Sequence, residues 1–523
     1  MHIRNGFTNG AFVPSRPIAT IGTVEAAPVT GIGVAGLDLV LGGGLPTNRV
    51  FLIEGNPGTG KTTLALQFLR EGVSRGETTL YITLAETRNE LTAAASSHGW
   101  NLDGIEIFEL SPPDEVLSPE TKYTVFHPSD VEMNQTVQRI YDVVERLRPA
   151  RIVLDSLSEM RILSQDPLRL RRQVLALKHF FTGRGCTVVL LDDVRSQDSE
   201  LHFASIVHGV VLLEQLALEY GAERRRLRVT KLRGQRYRGG FHDFSIQTGG
   251  LVVYPRLIAA EHAAVEVDGV VSSGNVEVDM LLGGGLDAGS CSLLLGPAGV
   301  GKTVLTTEFA LASARRGERA MFFVFDERVR AFMARARGLG MELQTQIDAG
   351  RFVLQQIDPT EVSPGQFAAR VVDAVEREGV RLVAIDSLTG YLNAMPEERL
   401  LNVHLHELFS YLGQRGITSL LTLAQHAPFA DATQAADISY LADAVVLLRY
   451  FEAAGEVRKA ISVLKKRSGA HEQAIREFRI RAGGLKVGEP LHAFQGVLRG
   501  IPEYLGTEGP LLGRTSAGDP QPA

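Results

Sequence analysis

Short apolar runs separated by polar and glycine-rich stretches recur along this chain. Val188–Leu191 and Met321–Phe325 are the longest such clusters, and each has the length of a buried β-strand. After the strand-like run Arg49–Glu54, Leu64 and Phe68 are spaced one helical turn apart, as on one face of a helix. The pattern therefore predicts a strand, a loop and a helix in succession.

The same pattern returns in the second half of the chain. The run Leu41–Leu45, which reads Leu-Gly-Gly-Gly-Leu, recurs 241 residues later as Leu282–Leu286. The offset becomes 231 at Asp155 and Asp386, and 234 near the end of each copy. Small changes of offset indicate short loop insertions within one architecture, so we predict a duplicated domain.

The repeat and the composition of the segments around it predict the domain boundaries. We expect an irregular N-terminal segment at 1–28, a first domain at 29–256, an Ala-rich linker at 257–268, a second domain at 269–490, and a C-terminal segment with a mobile tail at 491–523.

A glycine-rich loop follows the first strand of each copy and matches G-x-x-x-x-G-K-[ST]. Glycines let backbone N–H groups converge on phosphate oxygens, and the next helix directs its positive end at the anion. The lysine reaches the β- and γ-phosphates, and the threonine hydroxyl binds Mg²⁺. A chance glycine-rich turn is the alternative, but two matches at the repeat offset argue against it. The predicted ATP-binding residues are Gly55, Asn56, Pro57, Gly58, Thr59, Gly60, Lys61 and Thr62, then Gly296, Pro297, Ala298, Gly299, Val300, Gly301, Lys302 and Thr303, with Thr62 and Thr303 as metal ligands.

A second apolar run in each copy ends in acidic residues. The run from Leu80 leads to Glu86, and the run from Met321 leads to Asp326 and Glu327. A carboxylate at the C-terminal edge of a parallel sheet can accept a hydrogen bond from an attacking water. An ordinary solvated acid is the alternative, but recurrence at the offset of the loops favours a catalytic role for Glu86, Asp326 and Glu327.

A third apolar run ends in Asp155 in the first copy and in Asp386 in the second. This is the Walker B pattern, in which a strand delivers one aspartate to the water shell of the metal. A helix-capping aspartate is the alternative, but the glycine-rich loops favour the role at the metal.

Two cations stand two residues apart late in each copy, as Lys231 and Arg233 and as Lys465 and Arg467. Such residues share one face of a strand. Paired cations suit the γ-phosphate of a nucleotide, including one held by a neighbouring subunit. A solvated surface cluster is the alternative.

The overall charge is −6, from 54 basic and 60 acidic side chains. This balance argues against constitutive nucleic-acid binding, and the basic stretch Glu223–Arg228 has no aromatic residue for base stacking. The only cysteines, Cys186 and Cys291, cannot form a disulfide framework and favour a reducing cytoplasm. No apolar run approaches the ~18 residues of a membrane span, so we expect no membrane partner.

Taken together, these motifs resemble those of the KaiC family of double-domain RecA-like ATPases, from Val29 to about Pro502. The most specific segments are Thr83–Thr87, Ser97–Leu102, Lys231–Gly234 and Ala474–Phe478. The resemblance implies an α/β fold of two tandem RecA-like P-loop NTPase domains, each a mostly parallel twisted sheet flanked by helices. It also implies ATP and Mg²⁺ as cofactors. A homohexameric double ring would hold ATP between subunits, with Lys231, Arg233, Lys465 and Arg467 acting in trans.

Two departures from the family pattern concern candidate site residues. Family members carry two adjacent glutamates after the second strand, where this chain has Ala85-Glu86 and Asp326-Glu327. Clock members also carry an adjacent Ser-Thr phosphorylation pair. The matching segment here keeps Ser439 but has Tyr440 in place of the threonine, which makes Ser439 the candidate phosphosite of a serine autokinase.

These features predict an ATP-hydrolysing ring protein in signalling or timing, which communicates with an output partner protein. Two other interpretations share the fold. One is a nucleic-acid-dependent motor of the recombinase or helicase class, and the other is a nucleotide-gated scaffold without kinase activity.

Overall fold

The computed structural model describes residues 28–110, 128–164, 166–193, 203–217, 221–393, 401–424, 439–453, 455–499 and 503–505. They form two similar α/β units, one after the other along the chain. Most of the predicted irregular N-terminal segment and the predicted tail lie outside the described residues.

The first unit contains both strands and helices. Its strands are β1 (Val29–Thr30), β2 (Leu45–Pro46), β3 (Val50–Gly55), β4 (Thr79–Thr83), β5 (Ile105–Glu109), β6 (Arg151–Asp155), β7 (Thr187–Asp192), β8 (Gly209–Leu216), β9 (Arg224–Leu232), β10 (His242–Gln247) and β11 (Gly250–Tyr254). Its helices are α1 (Ala35–Val40), α2 (Lys61–Ser74), α3 (Arg88–Ser97), α4 (Pro128–Leu147), α5 (Leu157–Ser164) and α6 (Pro167–Gly183).

The second unit repeats this order. Its strands are β12 (Val270–Val271), β13 (Leu286–Asp287), β14 (Cys291–Gly296), β15 (Arg319–Val324), β16 (Phe352–Gln356), β17 (Val380–Asp386), β18 (Thr418–Ala424), β19 (Ala444–Ala453), β20 (Glu456–Lys466), β21 (Arg476–Arg481) and β22 (Gly484–Pro490), followed by the short pair β23 (Phe494–Gln495) and β24 (Glu503–Tyr504). Its helices are α7 (Val276–Leu281), α8 (Lys302–Arg315), α9 (Val329–Gly338), α10 (Leu343–Asp348), α11 (Pro364–Glu376), α12 (Leu388–Asn393) and α13 (Leu401–Gln414).

Each unit is built on a nine-stranded sheet of the described residues. The first has the order β11-β10-β9-β8-β3-β7-β6-β4-β5, and the second β16-β15-β17-β18-β14-β19-β20-β21-β22. From β8 to β5 the pairings are parallel, whereas β9, β10 and β11 add antiparallel strands at one edge. The second sheet has the same arrangement. Two mostly parallel sheets flanked by helices confirm the predicted fold class.

The central strands are apolar along their whole length because helices cover both faces of the sheet. In β3, Phe51 and Ile53 belong to one hydrophobic cluster, and Val50 and Leu52 belong to the cluster on the opposite face. The alternation follows from the two-residue period of a strand. The predicted strand at Val188–Leu191 is confirmed as part of the buried β7.

The segment between the two units is packed against the second unit. Leu257 and Ala259 are buried in its hydrophobic core, and the backbone N–H of Ala259 donates to Glu407 at 2.9 Å. Across the units, Asp243 accepts a hydrogen bond from the backbone N–H of Gly365 at 2.7 Å. None of the described helices is long and apolar enough to cross a membrane.

Candidate nucleotide-binding sites

The two glycine-rich loops occupy equivalent places at the carboxyl edges of the two sheets. The first follows β3, and α2 begins at its lysine, Lys61. The second follows β14, and α8 begins at Lys302. In both units the first turn of a 14-residue helix therefore borders the loop, which is the arrangement that binds phosphate groups.

The glycine before each loop lysine is required by the backbone. Gly60 and Gly301 have φ angles of 97° and 127°, which side chains with a Cβ rarely adopt. A Cβ on Gly60 would also lie 2.6 Å from the side chain of Ile246, and one on Gly301 would lie 2.8 Å from Ile480. The two loops thus share the same conformational requirement.

Lys61 contacts its own loop and one acid outside it. Its Nζ donates to the carbonyl oxygens of Gly55 at 2.7 Å and of Asn56 at 3.1 Å. It also forms an ion pair with Asp193 at 2.8 Å. Asp193 follows β7, the strand beside β3, so its carboxylate approaches the loop from the neighbouring strand.

Lys302 contacts the second loop in the same way. Its Nζ donates to the carbonyl oxygens of Gly296 at 2.7 Å and of Pro297 at 2.9 Å. Burial lowers the pKa of Lys302, and the charge of Asp386 partly opposes that effect. Among the described residues this buried cation donates to carbonyl oxygens and forms no ion pair, so it is well suited to bind an anionic phosphate.

Asp155 ends β6 beside the first loop. The hydroxyl of Tyr81 donates to it at 2.5 Å, and Tyr81 also shares a hydrogen bond with Thr62. Burial raises the pKa of Asp155, while Tyr81 and the charge of Lys61 oppose the rise. The tyrosine therefore connects the predicted metal-binding threonine with the Walker B aspartate.

Asp386 ends β17 beside the second loop and has different partners. It accepts hydrogen bonds from Thr303 and from Thr422 on β18. Burial raises its pKa, and these hydrogen bonds and the charges of Arg335 and Lys302 oppose the rise. A threonine hydroxyl next to a carboxylate supplies the hard oxygen donors that Mg²⁺ prefers, so the residues present fit this ion.

Glu86 lies in the loop after β4, three residues beyond the end of the strand. Its carboxylate has no hydrogen bond or ion pair with any residue that the structure describes. Burial raises the pKa of Glu86, and the negative charge of Asp155 raises it further. It is therefore an acid with increased proton affinity beside the first loop.

The two acids of the second unit are both engaged. Glu327 forms an ion pair with Arg335 at 2.6 Å. Asp326 accepts a hydrogen bond from the hydroxyl of Ser387. Its carboxylate also lies close to the backbone of Gly390, since a Cβ added to that glycine would be 2.1 Å from Oδ1 of Asp326. The predicted acids thus lie at the expected edge of each sheet, but their surroundings differ.

Lys231 and Arg233 lie level with the amino-terminal end of β3, whereas the P-loop follows its carboxyl-terminal end. The backbone N–H of Arg233 donates to His208, and that of His208 donates to Val50, the first residue of β3. Five further residues of β3 lie between Val50 and the loop, and at about 3.3 Å per residue they span about 16 Å. Lys231 Nζ donates to carbonyl oxygens of the segment before β8, including that of Val207 at 2.7 Å.

Lys465 and Arg467 have the same position in the second unit. The backbone N–H of Arg467 donates to Asp443, and that of Asp443 donates to Cys291, at the start of β14. Lys465 Nζ donates to the carbonyl oxygen of Ser439 at 3.2 Å. Arg467 Nη2 donates to the carbonyl oxygen of Tyr440 at 2.7 Å, so both cations contact the described end of the predicted phosphorylation segment. Residues 435–438 of that segment lie outside the described part of the chain.

Several residues of these sites were missed by the sequence interpretation. They are Tyr81, Asp193, Arg335, Ser387 and Thr422. Asp193 follows an apolar strand like the other strand-end acids, so the same reasoning could have found it. Nothing local in the sequence singles out the others, because Tyr81, Ser387 and Thr422 act through partners that are distant along the chain and Arg335 belongs to no recognised motif.

Two tandem RecA-like units, each with a P-loop and a Walker B aspartate, define the class as P-loop ATPases. The family model described as "ATPase: KaiC" matches residues 30–258 and again residues 271–492. The chain therefore belongs to the KaiC ATPase family.

Two similar proteins illustrate the relationship. Circadian clock protein KaiC3 of Synechocystis sp. is 29% identical over 486 residues, which are 90% of this chain and 94% of that protein. Circadian clock oscillator protein KaiC of Synechococcus elongatus is 27% identical over 480 residues, 90% of this chain and 91% of that protein.

Proposed function

We propose that this protein binds Mg-ATP at both P-loops and hydrolyses it. One observation carries the proposal: in each unit the loop lysine, the loop threonine, the Walker B aspartate and a strand-end acid lie at one carboxyl edge. The oxygen donors present fit Mg²⁺, and the loop backbone fits an anion.

The proposed roles follow from the chemistry of each group. Loop N–H groups and Lys61 or Lys302 bind the phosphates, while Thr62 and Asp155, or Thr303 and Asp386, hold the metal and its water. Bound Mg²⁺ neutralises charge on the β- and γ-phosphates. In the first unit Glu86 accepts a proton from the attacking water, and its raised pKa makes it a better base than an ordinary glutamate.

Nucleotide stoichiometry tests the two-site proposal. Lys61→Ala and Lys302→Ala each remove a charge-assisted contact to the phosphates. We expect each variant to lose one bound nucleotide per subunit in equilibrium dialysis with Mg-ATP and to keep the other. The two variants serve as controls for each other, and unchanged stoichiometry in both would contradict the proposal.

We further propose a homohexameric double ring in which Lys231, Arg233, Lys465 and Arg467 contact the nucleotide of the adjacent subunit. These cations lie at the opposite end of the central strands from the P-loop of their own unit. Such a position favours contact with the nucleotide of a neighbouring subunit. Nucleotide between subunits stabilises only the assembled state, so assembly should depend on ATP. We expect Lys231→Ala/Arg233→Ala to weaken assembly in sedimentation velocity more than Lys465→Ala/Arg467→Ala, and a wild type that is monomeric in saturating ATP would contradict it.

The relatives named as circadian clock proteins support a role in signalling or timing, with an output protein as partner. The buried thiols of Cys186 and Cys291 support a cytoplasmic location. We also propose slow autophosphorylation of Ser439, whose carbonyl contact with Lys465 ties it to the predicted interface.

Intact-mass and peptide analysis after long incubation with Mg-ATP tests the autokinase. We expect at most one phosphate per subunit on Ser439, and none on Ser439→Ala. Wild type without phosphate, or an equal amount on both proteins, would leave an ATPase without kinase activity.

A further inference from the structure

Arg335 stands beside the acid of the second nucleotide site. It lies on α9, and its Nη1 donates to the Glu327 carboxylate at 2.6 Å. Its charge also acts on Asp386, where it opposes the rise in pKa that burial causes. The guanidinium therefore belongs to this site, although no loop or strand motif includes it.

The first unit has no such cation at this position. Helices α3 and α9 occupy the same place in the repeat, and the offset that takes Glu86 to Glu327 takes Ala94 to Arg335. Alanine cannot form an ion pair, and among the described residues Glu86 has none. The same acid is therefore free in one site and engaged in the other.

The ion pair makes the Glu327 carboxylate less available to an attacking water. Nη1 of Arg335 donates to its Oε1 at 2.6 Å, so this oxygen already accepts a charge-assisted hydrogen bond and is not free to accept one from water. The adjacent Asp326 offers no unengaged replacement, because it accepts a hydrogen bond from Ser387.

We propose that Arg335 is a positioning residue that withholds Glu327 from catalysis at the second site, so that this site hydrolyses ATP more slowly than the first. The inference rests on the ATPase function proposed above. It predicts a difference in hydrolysis rate between the two sites that the sequences of the P-loops do not indicate.

Single-site kinetics test it. In a Lys61→Ala background, where only the second site binds nucleotide, we expect Arg335→Ala to raise kcat about tenfold without changing KM, as expected when a general base becomes available. Arg335→Lys keeps an ion pair and should remain near the parent rate. Adding Glu327→Gln to Arg335→Ala should abolish the gain. In a Lys302→Ala background, the reciprocal Ala94→Arg should slow the first site about tenfold.

A rival role is a direct phosphate contact, because Nη2 of Arg335 is enclosed and has no hydrogen-bond partner among the described residues. In that case Arg335→Ala would raise KM or lower kcat, and either result would overturn the proposal, as would an unchanged kcat. Equilibrium binding of ATP to the Lys61→Ala protein is measured separately. Bound nucleotide with hydrolysis independent of Arg335 contradicts only this inference, whereas a second site that binds no nucleotide contradicts the proposed function as well.

Discussion

The two P-loop regions share the same backbone arrangement but have different side-chain neighbours. Both loops join a central strand to a 14-residue helix, with a glycine at positive φ before the lysine. Next to the first loop, the Glu86 carboxylate has no hydrogen bond or ion pair with any described residue. Next to the second loop, Glu327 is paired with Arg335 and Asp326 is hydrogen-bonded to Ser387.

The Walker B aspartates differ in a compensating way. Asp155 accepts its hydrogen bond from Tyr81, whose place in the second unit is taken by Phe322. Asp386 instead accepts one from Thr422, on a different strand. A buried carboxylate needs a donor, but either neighbouring strand can supply it. The duplicated fold thus preserves the phosphate cradle while the chemistry around it diverges.

The largest expected difference between the sites is in hydrolysis. We expect Glu86→Gln to slow the first site by about two orders of magnitude, because a general base contributes on this scale, and to lower total ATPase turnover by about tenfold, because the slower second site supplies the remainder. Glu327→Gln is the matched control and should change turnover less than about twofold. Steady-state phosphate release measures both, and a larger loss in Glu327→Gln would reverse the proposed order of the sites.

A second difference concerns stability. Glu308 on α8 accepts a hydrogen bond from the backbone N–H of Leu485 at 2.5 Å, and Gln67 on α2 makes the equivalent contact with Leu251 at 2.9 Å. Burial is the main cause that raises the pKa of Glu308 to about 7. Its stabilising contribution is therefore complete below its unfolded pKa of about 4.5 and is lost as the pH rises through about 7.

Replacing Glu308 with glutamine tests this assignment. Well above pH 7, we expect Glu308→Gln to stabilise the second unit by up to about 3 kcal/mol relative to wild type, with little gain at pH 5. The reciprocal Gln67→Glu should introduce the same pH dependence into the first unit. Chemical denaturation at several pH values measures the free energy of unfolding, and a pH-independent difference would show that Glu308 is not the responsible group.

The smallest expected effect is at the Walker B aspartates. Tyr81→Phe removes one hydrogen bond to Asp155 without changing the ring, which costs about 1 kcal/mol. We therefore expect the Mg²⁺ concentration for half-maximal ATP hydrolysis to rise by about fivefold. Phe322→Tyr is the matched change in the second unit and should have a smaller effect, because Thr422 already donates to Asp386. Equal effects would mean that the two aspartates do not depend on different donors.

The repeat, the P-loops and the Walker B strands could be predicted because each is a local pattern. The strand that ends at Asp155, for example, is contiguous in the sequence, and its apolar residues follow from burial on both faces of the sheet. The packing of Leu257 and Ala259 into the second unit could not be predicted. An Ala-rich segment has no period that distinguishes a packed connection from an exposed one.

The sequence by itself determined the duplicated α/β fold and both phosphate cradles, because strand periodicity, glycine conformation and the lysine–threonine pair act over a few neighbouring residues. Only the tertiary structure decided which acids are free to accept a proton. Ser387, the residue after β17, donates to Asp326 although it lies 61 residues further along the chain, and the neighbouring strand β18 provides Thr422 for Asp386. Even the nearby Arg335 contacts Glu327 from the second turn of α9, a contact that the spacing of eight residues does not specify. Hydrogen bonds and ion pairs depend on distance in space, and the fold alone sets those distances.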